Sequence, residues 1–228
     1  MDISLTTSVA QLVTDRPARA RIFERLGIDY CCGGDHSLAD ACRKKDLAPA
    51  TVAEMLDAAT DASTPSEQTD WTDASLGALI DHIVSTHHAL LRRELPRLEQ
   101  LLTRVTQAHG ASHAWLRPTL ETFLALKDDL DDHMASEEER VFPSIRSLEE
   151  NGSPSLDRAG LEQMIEEHDE AGAALEQLRE LTGGYTPPED ACPKFRAAMD
   201  GLDELEANMH QHVHKENNIL FPRARDLA

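Results

Sequence analysis

The sequence predicts an all-α protein in which a small helical domain precedes a four-helix bundle. Aromatic residues make up only 4% of the chain, and apolar residues recur at steps of three and four along four long segments. The frame H-x3-E-x4-F-P begins at His133 and returns at His212. Because positions i and i+4 lie on one face of a helix, each copy points an imidazole and a carboxylate in the same direction.

The domain boundaries follow from composition. Residues 1–60 predict short helices joined by tight turns, with Gly27 ending one helix and Ser37 capping the next. A further helix is expected from Pro49 to about Ala59, with its inward side chains being Val52, Met55 and Leu56. Residues 61–72 are rich in Ser, Thr, Asp and Pro without apolar periodicity, which predicts a linker. Residues 73–228 then form the bundle.

Each of the four bundle helices has an apolar stripe that passes through one histidine. The first helix should start near Asp73 and bend at Pro96, and the second should follow residues 109–112. The third should run from about Leu156 to Gly183, and the fourth should follow residues 187–188. The histidines on the stripes are His88, His133, His168 and His212.

Charge and cysteine usage exclude several classes of function. The chain carries 42 acidic and 22 basic side chains, a net charge of −20, which opposes binding to nucleic acid or to an anionic membrane. No apolar run approaches a membrane span, and no secretory signal opens the chain. The four cysteines do not resemble a secreted disulfide framework. A soluble protein of the cytoplasm is therefore expected.

The repeated frame predicts a metal centre. A single histidine on an apolar stripe is usually a hydrogen-bonded core residue, but here two glutamates, Glu137 and Glu216, lie on the same stripes. Burying each carboxylate would cost several kcal/mol without a neutralising positive charge. Metal ions supply that charge. The predicted ligands are His88, His133, Glu137, His168, His212 and Glu216.

Ligand chemistry favours iron. Imidazole and carboxylate without thiolate suit iron or manganese better than structural zinc, and four histidines favour iron. Six ligands suit two iron ions, each with two histidines, that share the two bridging carboxylates and leave room for an oxo bridge. Each ion would then remain short of six ligands, so a small molecule such as NO or O2 could bind.

These residues also carry a family resemblance. The motifs are His88, His133-x3-Glu137, the run at 167–172 and the run at 212–222, preceded by the Tyr-Cys-Cys-Gly-Gly segment at 30–34. Over nearly the whole chain they resemble the Repair of Iron Centres proteins. The resemblance implies a hemerythrin-like antiparallel bundle with a di-iron centre that helps to restore iron–sulfur clusters after nitrosative or oxidative damage. Damaged iron–sulfur proteins would be its partners, and a homodimer is compatible with it.

The number of histidines bears on oxygen carriage. Oxygen-carrying hemerythrins resemble the bundle but use five histidines and two carboxylates. This sequence matches four and two, which argues against simple reversible oxygen carriage.

Some assignments stay open. His82 and His87 share a helix with His88, since neighbouring residues differ by only about 100° around the axis, and His88 is chosen because it matches the family position. His214 is expected to be a surface residue. Asp129 and Glu167 are candidates to contact the ligands or to line a channel, although Asp129 also fits an ordinary solvated face.

The vicinal pair Cys31 and Cys32 is a second candidate site, for transfer of iron, NO or thiol groups. A disulfide between adjacent residues would be strained, and a turn at a helix N-terminus would favour the thiolate. The alternative is that both are small residues packed under a turn. Cys42 could join them, whereas Cys192 has no evident partner.

Three functions compete at this point. The leading interpretation is a stress-response di-iron protein that donates iron or redox equivalents to damaged clusters. The second is an enzyme that reduces NO, which needs two NO molecules and two electrons. The third is a sensor of NO, O2 or iron that signals through the N-terminal domain. The sequence alone does not decide whether the protein is an enzyme.

Overall fold

The computed structural model describes residues 3–59, 70–152 and 156–228. Within these ranges the regular elements are helices, together with one isolated antiparallel bridge between Ser8 and Ser37. The prediction of an all-α fold is confirmed. None of the helices in these ranges is long and apolar enough to cross a lipid bilayer. The predicted linker at 61–72 falls almost wholly outside the described residues.

Four short helices build the N-terminal domain. They are α1 (Val9–Asp15), α2 (Ala20–Leu26), α3 (Leu38–Lys44) and α4 (Pro49–Asp57), with a 3-10 turn at Pro17–Arg19. Gly27 ends α2 in the left-handed conformation at φ 62°, as predicted. The Ser37 hydroxyl accepts from the Asp40 amide at 3.2 Å and donates to its carboxylate at 2.7 Å, which confirms the predicted cap of α3.

The prediction that Met55 lies in the core of this domain is wrong. Met55 is 40% exposed, whereas Val52 and Leu56 are buried. Val52 and Leu56 are four residues apart and lie on the face of α4 that meets the domain core. Met55 lies about 100° around the axis from Leu56, so it faces away from that core.

The bundle consists of four long helices, three of which contain a wider π-helical segment. The first (76–109) joins α5 (Leu76–His82), the segment Ile83–His88 and α6 (Ala89–His109). The second (116–151) joins α7 (Leu116–Ser136), Glu137–Val141 and α8 (Phe142–Asn151). The third is α9 (Arg158–Leu181). The fourth (193–227) joins α10 (Pro193–Lys215), Glu216–Leu220 and α11 (Phe221–Leu227).

Side-chain contacts show that neighbouring bundle helices are antiparallel. Arg146 bonds Asp81 near one end of the first and second helices, and Thr106 bonds the Leu116 carbonyl at the other end. Arg179 pairs with Glu206 and His168 with Asn217, which sets the third helix against the fourth in the same way. These contacts confirm the antiparallel bundle implied by the resemblance.

The first and fourth helices approach each other closely at Gly201. A Cβ atom there would lie 2.6 Å from Leu98 Cδ2, well below a van der Waals contact. Pro96 lies inside α6, and the helix continues past it to His109.

The buried apolar residues of the bundle form two clusters separated along the bundle axis. One contains Leu91, Leu130, Leu175 and Met209, and the other contains Ile83, Val141, Met164 and Leu220. On each of the four helices the stripe histidine lies close to the boundary between the two clusters. A layer of buried polar side chains therefore divides the core.

Candidate metal centre

The six predicted ligand residues meet in this layer, and all six are buried. Each glutamate spans a pair of histidines. Glu137 Oε2 lies 3.2 Å from His88 Nε2, and its Oε1 lies 3.4 Å from His133 Nε2. Glu216 Oε2 lies 3.1 Å from His168 Nε2, and its Oε1 lies 3.0 Å from His212 Nε2.

The side chains form two groups that share both carboxylates. One group is His88, Glu137, His212 and Glu216, and the other is His133, Glu137, His168 and Glu216. Within each group the ligand atoms all lie within 4.8 Å of one another, so each group could hold a metal ion. The paired Nε2 atoms are 3.2 Å apart in the first group and 3.1 Å apart in the second.

The outward-facing nitrogens establish that lone pairs point into the centre. His88 Nδ1 lies 2.6 Å from a Glu138 oxygen, and His133 Nδ1 lies 2.6 Å from a Glu167 oxygen. Because a carboxylate only accepts, each Nδ1 carries the proton, and a neutral ring then offers the lone pair of Nε2 inward. His168 has the same arrangement with the Asn217 amide oxygen at 2.8 Å. Ligating histidines in metalloproteins show this pattern.

The buried carboxylate oxygens lack other partners. Both oxygens of Glu137 and Oε2 of Glu216 make no hydrogen bond among the described residues, although imidazole nitrogens lie near them. Buried polar atoms are normally hydrogen-bonded, and an unpaired buried carboxylate is costly. Four imidazole nitrogens that converge on two carboxylates, three of whose oxygens make no hydrogen bond among the described residues, fit metal cations between them. The donor set of imidazole and carboxylate suits iron or manganese.

The charge balance of the metal-free centre agrees with this fit. Burial and the neighbouring Glu216 oppose ionisation of Glu137, but the facing histidines hold the pKa of its carboxyl below the usual value. Burial likewise opposes the charged form of His133, yet Glu137, Glu216 and Glu167 raise its pKa to about 10. Protons on histidine thus balance the buried carboxylates, and bound metal cations would displace those protons.

Comparison with known proteins identifies the family. A model described as the hemerythrin HHE cation binding domain matches residues 79–224, and a domain of unknown function named ScdA_N matches residues 5–60. The iron-sulfur cluster repair protein ScdA of Staphylococcus haemolyticus is 33% identical over 213 residues, 93% of this chain and 95% of that protein. The chain belongs to the iron–sulfur cluster repair protein family. This confirms the resemblance read from the motifs.

Two further relatives are similar over the same extent. The iron-sulfur cluster repair protein YtfE of Pectobacterium atrosepticum is 34% identical over 217 residues, with 95% of this chain and 96% of the relative covered. The YtfE protein of Escherichia coli O157:H7 is 35% identical over 216 residues, with 95% of each chain covered. Both the cysteine-bearing domain and the bundle of this family member lie within the matched length.

The π-helical segments coincide with the centre. Glu137 and Glu216 each begin such a segment, and His88 ends the third. Pro143 and Pro222 follow two of the segments, and a proline has no N–H for the carbonyl four residues earlier. The wider turn accommodates this missing bond, so the Phe-Pro pair of the repeated frame has a structural role. The segment at His88 has no such proline directly after it.

The alternative histidines do not enter the centre. His87 is buried but lies flat against His212, with ring centroids 5.3 Å apart and planes within 6°. His82 stacks on Trp71 at 4.4 Å. Of His82, His87 and His88, the structure brings only His88 into the two groups.

The prediction that His214 is a surface residue is wrong. It is 5% exposed because the N-terminal domain packs on this face of the fourth helix. His214 Nε2 lies 3.3 Å from the Thr14 hydroxyl, and Nδ1 lies 3.4 Å from the Tyr30 carbonyl. Burial lowers its pKa to about 4. Helical periodicity places His214 away from His212 but gives no information about a second domain on that side.

Cys31 and Cys32 lie in the turn between α2 and α3, next to the third bundle helix. Their sulfurs are 3.8 Å apart and both thiols are free. Asp29 accepts the amide protons of Cys31, Cys32 and Gly33 at 2.7–3.1 Å. Cys32 Sγ lies 3.4 Å from the carbonyl of His168. The cysteine pair therefore lies against the backbone of a predicted ligand.

The expectation of a thiolate is wrong for Cys31. A hydrogen bond to Cys32 and burial raise the pKa of its thiol well above the usual value, and the nearby Asp29 carboxylate adds to this. The turn is not at a helix N-terminus, since α3 begins only at Leu38. Cys42 is buried in the core of the N-terminal domain, and Cys192 is half-buried before α10.

An acidic cavity reaches the second group of ligands. It has a volume of about 410 Å³ between α7 and α9, and His133 and His168 form part of its wall. Asp129, Asp132, Glu167 and Glu170 also line it. Glu167 contacts the His133 ring directly, whereas Asp129 is exposed at the cavity. Both candidate acids thus lie between the solvent and the predicted metal centre.

Proposed function

We propose that this chain is a di-iron protein that acts in the repair of iron–sulfur clusters damaged by nitrosative or oxidative stress. One observation carries the proposal: two groups, each with two histidines, share the buried carboxylates of Glu137 and Glu216. The names of its relatives as iron-sulfur cluster repair proteins support the same role. Damaged iron–sulfur proteins are then its partners.

The six residues have defined tasks in this proposal. His88 and His212 would hold one iron ion, and His133 and His168 would hold the other. Glu137 and Glu216 would serve both ions, since each presents one oxygen to each group. Glu138, Glu167 and Asn217 orient three of the rings through their Nδ1 protons. An iron pair with four protein donors at each ion supplies redox electrons and open positions for NO or O2.

Repair by donation requires a path for the donated iron. The acidic cavity beside His133 and His168 is an opening that reaches two of the predicted ligands. Its carboxylates attract a divalent cation. Iron is here the delivered substrate, and it would leave between α7 and α9. The free thiols of the chain fit a reducing compartment, and we propose that the protein works in the cytoplasm.

A second candidate function is the reduction of NO at the same centre. Its balance is two NO, two electrons and two protons giving one N2O and one water. The open positions at each ion favour this activity as well as donation. A third candidate, sensing, is favoured by the packing of the N-terminal domain against the fourth helix, which bears His212 and Glu216.

The deciding experiment is anaerobic mixing of the iron-loaded protein with an iron–sulfur dehydratase whose cluster NO has damaged. Donation predicts that enzyme activity returns in proportion to the iron lost from this protein. The metal-free protein is the control and should restore nothing. NO consumption without recovery would favour the reductase, and neither effect would favour the sensor.

A further inference from the structure

Three of the four predicted ligand imidazoles have a protein acceptor for the Nδ1 proton, and the fourth does not. Glu138, Glu167 and Asn217 serve His88, His133 and His168. Nδ1 of His212 is buried and makes no hydrogen bond to any residue that the structure describes. Its Nε2 faces Glu216 and His88, so the outward Nδ1 carries the proton.

The two groups are otherwise built alike. In the second group one histidine is backed by a carboxylate, Glu167, and the other by an amide, Asn217. In the first group His88 is backed by the carboxylate of Glu138. If the first group repeats this pattern, an amide oxygen accepts the Nδ1 proton of His212.

Asn208 is one turn before His212 on α10, at the i, i+4 spacing that brings side chains together. Its amide oxygen is buried and has no donor among the described residues. It also lies near the His87 ring. A buried acceptor without a donor and a buried donor without an acceptor thus lie one helical turn apart on α10.

His87 fixes the surroundings of Asn208. Lys215 Nζ lies 3.1 Å from His87 Nε2, and an ammonium only donates, so His87 Nε2 accepts and its proton is on Nδ1. That Nδ1 is likewise without a partner among the described residues, and the ring lies flat on His212. The N–H groups of His87 and His212 and the oxygen of Asn208 are therefore buried polar atoms without a partner among the described residues, and that oxygen has two lone pairs.

We propose that Asn208 is a positioning residue that accepts the Nδ1 proton of His212, and that His87 and Lys215 hold the Asn208 amide in place. The bond needs a rotation of the amide group or one shared water. It would orient the His212 ring and raise the basicity of its Nε2, as Asn217 does for His168. This inference rests on the proposed di-iron centre.

The test is stepwise loading of the full-length metal-free protein with Fe(II) under anaerobic conditions, against a competing chelator. Asn208→Leu removes the acceptor and should weaken one of the two binding steps about 10- to 100-fold, leaving the other unchanged. Asn208→Asp keeps an acceptor and should bind at least as tightly as the wild type. Asn217→Leu should weaken the other step by a similar factor, and Glu204→Gln, at an exposed position of α10, should change neither.

A second readout does not depend on the leucine variant folding. In the zinc-loaded wild-type protein, NMR should show a slowly exchanging Nδ1 proton on His212, and Asn208→Asp should retain it. Normal binding by Asn208→Leu, equal weakening in the Leu and Asp variants, or rapid exchange of that proton in the wild type would each overturn the inference. Failure of the wild type to bind two ions would instead refute the proposed centre, and the inference with it.

Discussion

Replacing Glu137 with leucine separates the two effects that this carboxylate has on the protein. In the metal-free state it is a fully buried charge whose two oxygens make no hydrogen bond among the described residues. Its oxygens lie 3.2 Å from His88 Nε2 and 3.4 Å from His133 Nε2, and removing one partner of a buried ion pair destabilises a protein by about 3–5 kcal/mol. Glu137 helps to raise the pKa of His133, so without it that buried ring loses part of the negative charge that compensates its proton.

The size of the effect follows from the length of the chain. For a protein of this size each kcal/mol changes Tm by about 2–4 °C, so metal-free Glu137→Leu should melt about 6–20 °C below the metal-free wild type. With Fe(II) at about 100 times the dissociation constant, the wild type gains about 2.7 kcal/mol for each ion. The variant lacks a ligand in both groups and should gain little, so the difference between the two melting temperatures grows when iron is added.

Differential scanning calorimetry with and without Fe(II), under anaerobic conditions, measures both effects. Glu139→Leu is the matched control, since Glu139 is exposed on the same π-helical segment. It should leave the iron-dependent gain intact. A Glu137→Leu variant that melts at or above the wild type without metal, or that gains as much from iron, would refute the reasoning.

Three further predictions concern other parts of the chain. A fragment of residues 70–228 should fold and bind both ions, because the six predicted ligands lie in the bundle and Arg223 donates to the Trp71 carbonyl at 2.7 Å. Loss of iron from this fragment would mean that the N-terminal domain supplies a ligand. Changing both Cys31 and Cys32 to serine should leave the iron content unchanged but reduce repair of a damaged cluster, and Cys192→Ser is the control. Full repair by the double variant would limit these two cysteines to a packing role. Gly201→Val should lower the free energy of unfolding by about 1–3 kcal/mol in denaturant titration, because a Cβ there meets Leu98, whereas Gly77→Ala, which faces side chains of Arg146 and Glu149, should have a smaller effect.

Sequence periodicity was sufficient to predict the features that depend on a single helix. The i, i+4 spacing of His133 with Glu137 and of His212 with Glu216 predicts that each pair shares a face, and the stripes predict which way that face points. The fold class and the convergence of the six side chains follow from these local rules. Gly27 and Ser37 were equally predictable because caps depend on neighbouring residues.

The remaining features depend on contacts between distant segments. His214 is buried by the N-terminal domain, which the pattern of its own helix does not reveal. The thiol of Cys31 is protonated because it is buried beside Cys32 and Asp29 rather than at a helix N-terminus. The residues that orient the imidazoles, Glu138 and Asn217, are likewise defined only by the packing of neighbouring helices. The π-helical segments had a local signal in Pro143 and Pro222, but sequence periodicity does not distinguish a π turn from an α turn.

The central claim is that Glu137 and Glu216 bridge two iron ions held by four histidines. Elemental analysis of protein purified under anaerobic conditions, together with Mössbauer spectra of the iron-loaded form, tests it most directly. The account predicts two iron ions per chain with the spectrum of a carboxylate-bridged pair, and loss of much of that iron in Glu137→Ala and Glu216→Ala. One tightly held zinc ion per chain and no iron would contradict it.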